Sequence, residues 1–132
     1  MNLPIGICVD ASTRPTNPGF TEYRGMDLQT NQVIFHTKIG FASNNVGEYC
    51  AIVEALCWCE RNNKHVTIYS DSKIAINWIM RQRTSSGAKI CKDAFELFKE
   101  CENYVRKMKY VHHIKWFDKR IYGEIPADFG RK

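Results

Sequence analysis

A short run near the N-terminus, Ile5–Asp10, limits the folds open to this chain, because apolar residues lead there without alternation into a carboxylate. Such a run is typical of a strand covered on both faces, at the centre of a sheet with helices above and below. The strand would carry Asp10 to its C-terminal end, where largely parallel α/β sheets keep their chemistry. Alternatively, Asp10 only ends the strand and starts a polar turn. Its role therefore depends on which other residues lie beside it in the fold.

Length and composition predict one globular domain over residues 1–132. The formal net charge of +5 is compatible with a polyanionic partner but does not require one. No apolar run approaches the ~20 residues of a membrane span, and no signal peptide is evident at the N-terminus. The six cysteines lack metal-ligand spacing, which favours reduced core thiols and a cytoplasmic location.

The segments after Asp10 predict an antiparallel meander. Ala11–Gly19 contains two prolines and a glycine, which is typical of a turn. Two strands follow, Phe20–Met26 and Gln32–Ile39, joined by a polar hairpin loop. We expect Ile5–Asp10 to be the inner strand of this meander.

A helix is predicted from about Asn44 to Arg61, with Asn45 as its N-cap and Glu48 in a capping-box position. At 3.6 residues per turn, Glu48 lies at the N-terminal end of the apolar face. The face opposite the apolar stripe, with Glu54, is expected to lie outside. Glu48 has two possible roles: it only caps the helix, or it takes part in a site. Capping alone does not explain a charge on the core-facing side, where an unpaired carboxylate is costly.

A second strand that ends in a carboxylate is Val66–Ser70, followed by Asp71. A strand that returns after a helix beside the first strand implies a parallel crossover. Asp71 would then lie at the same end of the sheet as Asp10. Its alternative role is to cap the next helix, from Ser72 to about Arg81, although Ser72 is an equally good cap.

The remaining segments predict a loop, a helix and a last strand. The loop Arg81–Lys89 carries three positive charges, which fits solvent exposure and phosphate contact about equally. The helix from Cys91 to Met108 is amphipathic, and its apolar face indicates core packing. Tyr110–Phe117 is the last strand, with His112 and His113 on opposite faces. A turn and a short final helix follow.

Four acids are therefore candidates for one site: Asp10, Glu48, Asp71 and Asp128. Crowded carboxylates raise one another's pKa unless a cation lies among them. Oxygen ligands of this kind suit Mg²⁺ or Mn²⁺. Two such ions ~4 Å apart can hold an attacking water and a leaving oxygen in line across a phosphodiester. Neither a Ser-His-Asp or Cys-His pattern nor a glycine-rich phosphate loop offers a competing chemistry.

The order of these motifs resembles type 1 ribonuclease H over nearly the whole chain. The matching segments are Asp10 on its strand, Asn44–Tyr49, Tyr69–Lys73, Trp116 and Gly123–Asp128. The resemblance implies an α/β fold with a five-stranded mixed sheet, three strands in an antiparallel meander plus two parallel strands, and helices on both faces. It also implies an endonuclease that uses two Mg²⁺ ions, with Mn²⁺ as a substitute, to hydrolyse the RNA strand of RNA–DNA hybrids. The products would carry 3′-hydroxyl and 5′-phosphate ends.

The same resemblance implies the site residues. The four acids would be the catalytic metal ligands. Positions that contact the hybrid backbone, including RNA 2′-hydroxyls, are matched by Asn17, Asn44 and Asn45; the 2′-hydroxyl distinguishes RNA from DNA. Further nucleic-acid contacts are expected from Lys73, Trp78, Lys119 and Arg120. For Trp78, packing in the core is an equal alternative.

The sequence departs from the family pattern in three places. The short loop Asp118–Tyr122 lacks the histidine of many relatives; Lys119 or Arg120 could hold a phosphate there, but neither is a good base near neutral pH. The long basic protrusion of many bacterial relatives is reduced to a few charges, which predicts weaker hybrid binding. The chain ends shortly after Asp128, so we expect this residue to be loosely held.

The preferred interpretation is a monomeric hybrid endoribonuclease that needs neither a small-molecule cofactor nor a membrane. One alternative is another nuclease of the same fold with a different substrate. The other is a non-catalytic nucleic-acid-binding module, against which the four acids argue.

Overall fold

The computed structural model describes residues 3–85, 90–108 and 114–129. In these ranges the strands are β1 (Ile7–Arg14), β2 (Gly19–Asp27), β3 (Val33–Ala42), β4 (Ile68–Ser70) and β5 (Ile114–Trp116). The helices are α1 (Asn44–Arg61), α2 (Lys73–Arg81), α3 (Lys92–Lys107) and α4 (Lys119–Tyr122). The strands form one five-stranded sheet in the order β3-β2-β1-β4-β5. β1 to β3 are antiparallel, and β4 pairs parallel with both β1 and β5, which confirms the predicted mixed sheet.

The first strand is longer than predicted. β1 pairs with β2 from Ile7 to Arg14, so Asp10 lies inside the strand and not at its end. The predicted turn at Ala11–Gly19 is therefore wrong for its first four residues. These residues extend the strand because Ala11 is fully buried and the hydroxyls of Thr13 and its partner Thr21 lie 2.9 Å apart.

The central strands of the sheet are covered on both faces. On one face, Val9, Ala11 and Tyr23 belong to a core shared with the helices α1, α2 and α3. On the other face, Cys8 packs with Phe117 and with residues of the C-terminal segment. All six cysteines are free thiols. None of the described helices is both long and apolar enough to span a bilayer.

The start of α1 differs from the prediction. Ser43 is the N-cap, and its Oγ accepts a hydrogen bond from Val46 N at 3.3 Å. Asn45 lies inside the helix, so the predicted capping box of Asn45 with Glu48 is wrong. Gly47 brings the helix onto the sheet, since a Cβ there would lie 3.0 Å from Ala11 Cβ.

The face of α1 opposite the predicted apolar face also contacts the sheet. Glu54 Oε1 accepts hydrogen bonds from Tyr23 Oη at 2.6 Å and from Thr37 Oγ1 at 3.0 Å. The helix therefore contacts the sheet and its helical neighbours over most of its circumference. The expectation that Glu54 lies outside is wrong for this reason.

The C-terminal part departs further from prediction. Within residues 124–129 the predicted final helix is absent, and a turn forms in which Asp128 N donates to Ile125 O at 2.9 Å. The predicted turn after β5 is instead the short helix α4, whose N-cap Asp118 accepts from Arg120 N. Of the predicted last strand, the described residues Ile114–Trp116 form β5. His112, His113 and Lys89 lie outside the described residues.

Candidate active site

Three carboxylates converge at the end of β4. Asp10, Glu48 and Asp71 each place an oxygen within 4.8 Å of the other two. They come from β1, from the second turn of α1 and from the residue after β4. The last pair of the β1–β4 ladder is Val9 with Ser70, so β1 continues into Asp10 beyond the end of β4. The Glu48 carboxylate meets the other two at this end of the sheet.

This carboxylate group is nearly sealed from solvent. Asp10 is 2% and Glu48 is 4% exposed, whereas the Asp71 side chain is 13% exposed. Burial, followed by the charges of Asp10 and Asp71, raises the pKa of Glu48 well above its usual value. Glu48 Oε1 is buried and has no hydrogen-bond partner among the described residues. Three crowded carboxylates with an oxygen left unsatisfied are the arrangement that a bound cation stabilises.

The chemistry of the donors identifies the class of cation. All three residues offer hard carboxylate oxygens, which suit Mg²⁺ or Mn²⁺ better than zinc. In the part of the chain that the structure describes, neither a cysteine nor a histidine joins the group. The site therefore fits a divalent metal of the magnesium type.

Asp128 is not a member of this group, but its backbone is anchored beside it. Arg24 donates from Nε to Ala127 O at 2.8 Å and from Nη2 to Asp128 O at 2.5 Å. Arg24 is the cross-strand partner of Asp10, so the two side chains leave the same face of the sheet. The backbone at Asp128 is therefore better held than the sequence suggested.

A basic and aromatic cluster borders Asp71. Lys119 Nζ lies 3.1 Å from Asp71 Oδ2 and 3.3 Å from Glu124 Oε1. The contact with Asp71 raises the pKa of Lys119, which keeps the ammonium charged. Trp116 Nε1 donates to Asp71 O at 3.3 Å, and Lys73 Nζ lies 4.1 Å from the centroid of the Trp116 ring. Two cations are thus held at the rim of the carboxylate group.

The remaining two predicted contacts lie in different environments. Arg120 is exposed, forms an ion pair with Asp118 at 3.0 Å, and lies 5.8 Å from the centroid of the Trp116 ring. Trp78 is only 3% exposed, and its ring packs 5.7 Å from Tyr49. The structure thus places Trp78 in the core and not on a DNA-facing surface. Trp116 is half-buried, with two basic side chains near its ring, and is a candidate contact that sequence reasoning did not name, although its position between basic residues was a usable signal.

The predicted asparagine contacts form a joint surface. Asn17 Oδ1 accepts a hydrogen bond from Asn44 N at 2.9 Å, which satisfies a free amide at the start of α1. Thr13 Oγ1 donates to Asn44 Oδ1 at 3.2 Å. Asn17 is exposed, and Asn44 and Asn45 are half-buried. Asn44 and Asn45 lie about one helical turn before Glu48 on α1, and Asn17 contacts Asn44 at this end of the helix.

The mixed sheet and the buried carboxylate group define an α/β domain with a cluster of acids that fits a divalent metal. A family model for RNase H matches residues 5–119. The chain therefore belongs to the RNase H family, and its fold and site support a nuclease of the RNase H type.

Solved structures show the same fold. RNase H1 from the halophilic archaeon Halobacterium salinarum is 16% identical with a TM-score of 0.55, covering 88% of this chain and 86% of that one. The N-terminal RNase H domain of a Mycobacterium tuberculosis protein, solved as a fusion with maltose-binding protein, is 17% identical with a TM-score of 0.52, covering 86% and 88%. LC11-RNase H1, isolated from compost by a metagenomic approach, is 23% identical with a TM-score of 0.51, covering 89% and 84%.

Proposed function

We propose that this protein is a metal-dependent endoribonuclease that hydrolyses the RNA strand of RNA–DNA hybrids and leaves 3′-hydroxyl and 5′-phosphate ends. The observation that carries the proposal is the convergence of Asp10, Glu48 and Asp71 within 4.8 Å in a chain of the RNase H family. The protein acts as a monomer in the cytoplasm and needs no small-molecule cofactor or membrane.

The metal ligands are the three clustered acids together with Asp128, and the cofactor is two Mg²⁺ ions, for which Mn²⁺ substitutes. When bound, the ions supply Lewis-acid stabilisation of the phosphodiester and a more acidic attacking water. The chain contributes a rigid, dry pocket, because Asp10 lies in the central strand and Glu48 is fixed by the contact of α1 with the sheet. Anchoring by Arg24 keeps the fourth acid near the same face.

Recognition of RNA is assigned to the surface formed by Asn17, Asn44 and Asn45. Side-chain amides offer both donors and acceptors, which a 2′-hydroxyl can use in either sense. Asn17 engages its carbonyl oxygen with the Asn44 amide, so its NH₂ group is the donor that it presents to substrate. This surface supports a preference for a strand that carries 2′-hydroxyls.

Phosphate contacts are assigned to Lys73 and Arg120, which lie near the Trp116 ring, and to Lys119, which contacts Asp71. Lys119 is the first residue of α4, in the segment that the sequence predicts to be a loop and in which many relatives carry a histidine. An ammonium group holds a phosphate oxygen well but is a poor base near neutral pH. Proton transfer is therefore assigned to water at the site and not to this loop.

The test is a cleavage assay on a matched set of end-labelled substrates: RNA–DNA hybrid, duplex RNA, duplex DNA and single-stranded RNA. We expect cutting of the hybrid alone, with Mg²⁺ or Mn²⁺ and not with EDTA, and 3′ ends that a polymerase extends. Asp10→Asn and Asp71→Asn should abolish cutting while hybrid binding remains.

Other outcomes point to the alternatives. Comparable cutting of duplex RNA or DNA would indicate a nuclease of the same fold with another substrate. Binding of the hybrid without cutting under any metal would indicate a non-catalytic module. An Asp71→Asn variant that cuts as fast as the wild type would contradict the metal mechanism itself.

A further inference from the structure

Two large aromatic side chains lie exposed side by side on the sheet. Phe20 is 72% and Phe41 is 39% exposed, and they are direct cross-strand partners in β2 and β3. Directly opposed side chains lie on the same face, ~5 Å apart. A single exposed apolar side chain is ordinary, but an adjacent exposed pair marks a candidate binding surface.

This pair lies on the sheet face from which the Asp10 side chain projects. Phe20 also pairs with Arg14 on β1, and Arg14 follows Asp10 by an even number of residues, so their side chains point to the same side. At ~3.4 Å per residue, the aromatic pair lies ~14 Å along the sheet from Asp10. Asn17 precedes Phe20 in the chain and Asn44 follows Phe41, so the pair adjoins the surface where these two asparagines meet.

The charge around the pair is complementary to a nucleic acid. Arg14 is exposed beside Phe20, and its Nε donates to Ser12 Oγ at 3.1 Å, which holds the guanidinium over the sheet. Lys38, also exposed, lies at the next position of the same face, opposite Glu22. Glu22 is itself engaged with His36 at 2.7 Å. Aromatic rings flanked by cations are the arrangement that binds single strands through base stacking and phosphate contact.

We propose that Phe20 and Phe41 stack on unpaired bases of a strand that continues from the bound hybrid, so that the protein favours hybrids next to a single-stranded junction. The occupant must be unpaired, because base faces inside a duplex are already stacked on their neighbours. A separation of ~14 Å corresponds to about four steps of 3.4 Å along one strand. The inference rests on the proposed hybrid substrate and extends its recognition beyond the cleaved region.

The test measures binding by fluorescence anisotropy in EDTA, so that no strand is cut. The probes are a blunt 12-base-pair hybrid and the same hybrid with a six-nucleotide overhang of RNA or of DNA at either end. We expect one overhang to tighten binding to the wild type at least about fivefold per stacked base. Phe20→Ala with Phe41→Ala should remove that gain and leave affinity for the blunt hybrid unchanged.

Two further variants sharpen the test. Phe20→Leu with Phe41→Leu keeps the apolar area but lacks the rings, and should also lose the overhang gain. Phe95→Ala is the matched control, since Phe95 is 48% exposed on α3 with Lys99 Nζ 5.3 Å from its ring centroid. This control should bind all probes as the wild type does. Circular dichroism establishes that each variant is folded.

Several outcomes would overturn the proposal: no overhang gain in the wild type, a gain that survives in the alanine pair, or equal weakening of blunt and overhanging probes. Retention of the gain in the leucine pair would contradict ring stacking and show that apolar contact alone binds the overhang. A change of oligomeric state of the phenylalanine variants on size exclusion would indicate that the pair is instead a contact between copies of the chain. Binding of d(T)₁₂ alone separates this inference from the proposed function. If the hybrid is not cut but d(T)₁₂ binding depends on the phenylalanines, the stacking site stands while the enzymatic proposal fails.

Discussion

The ammonium group of Lys119 lies 3.1 Å from Asp71 Oδ2, so a positive charge of the protein itself already contacts one of the three clustered carboxylates. Asp71 is the most exposed member of the group and therefore the one that a side chain from α4 can reach. The contact partly offsets the repulsion among the acids. Lys119 therefore competes with any metal cation that binds the same oxygen of Asp71.

Replacing Lys119 with methionine should increase the affinity for metal. The variant releases Asp71 Oδ2, and a half-exposed pair of this kind is worth up to ~1 kcal/mol, so we expect Mn²⁺ to bind about three- to fivefold more tightly. Calorimetric titration without substrate measures this directly. Lys64→Met, at the exposed end after α1, is the control and should bind Mn²⁺ as the wild type does. Unchanged affinity in Lys119→Met would show that the ion pair does not compete with metal.

Removing one charge from the carboxylate group should stabilise the metal-free protein. Asp10 is 2% exposed beside two other acids, and Asp10→Asn relieves the repulsion while keeping the shape. We expect its Tm in EDTA to rise by a few degrees, which corresponds to ~1 kcal/mol. Mg²⁺ should raise the Tm of the wild type by more, because ~100-fold excess over Kd contributes ~2.7 kcal/mol. A wild-type Tm that does not change on addition of Mg²⁺ would argue against the metal site.

The convergence of Asp10, Glu48 and Asp71 was predictable from the sequence. A strand, a helix and a returning strand imply a parallel pair, so Asp10 and Asp71 had to meet at one end of the sheet. Helical periodicity likewise predicted that Glu48 points inward. These inferences succeeded because they depend on the order and period of the chain and not on individual contacts.

Features decided by tertiary contacts were not predictable in this way. Ala11 looks like part of a turn until the pairing of β1 with β2 is known. Ser43 and Asn45 are both good caps, and the close approach of Gly47 to the sheet is part of what positions the start of the helix. The burial of Trp78 depends on aromatic side chains contributed by other helices. The location of Asp128 depends on hydrogen bonds to a distant strand.

The close contact between Gly47 and the sheet should be needed for both stability and cleavage. A Cβ at this position would lie 2.6 Å from Thr21 Cγ2, so Gly47→Ala should destabilise the protein by ~1–3 kcal/mol despite the better helix propensity of alanine. The cleavage rate should fall by more than the loss of folded protein alone predicts, since Glu48 moves with the helix. Urea unfolding and cleavage rates measure the two effects.

The matched partner of this variant is Thr21→Ser, which removes Cγ2 and keeps the hydroxyl that donates to Ala42 O at 2.9 Å. The double variant with Gly47→Ala should recover a large part of both losses. Strict additivity of the two changes would show that the contact with Thr21 is not what limits residue 47.

Lys73 should contribute a salt-dependent phosphate contact. Its ammonium lies over Trp116 at the rim of the acids, where it can meet the substrate backbone. Lys73→Ala should weaken hybrid binding and lower the slope of log K against log salt by ~1. Anisotropy titrations between low and physiological salt give the slope. A slope equal to that of the wild type would assign Lys73 to packing on Trp116 alone.

Arg24 should act on catalysis through Asp128. Its guanidinium donates to the carbonyl oxygens of Ala127 and Asp128, and its carbon Cζ lies 4.7 Å from the ring centroid of Phe129. Arg24→Ala removes these anchors and should let the segment move, so we expect kcat to fall by at least tenfold. KM for the hybrid should change little, because Arg24 is not assigned to the substrate surface.

The position of Arg24 opposite Asp10 makes a control necessary, since its charge also acts on the acids. Arg24→Lys keeps that charge but loses the two-pronged geometry, so it should resemble the alanine variant. A double variant of Arg24→Ala with Asp128→Asn should be no slower than Asp128→Asn alone, because both changes disable one carboxylate. Additive losses, or full activity in Arg24→Lys, would instead mean that Arg24 works by its charge and that Asp128 does not depend on it.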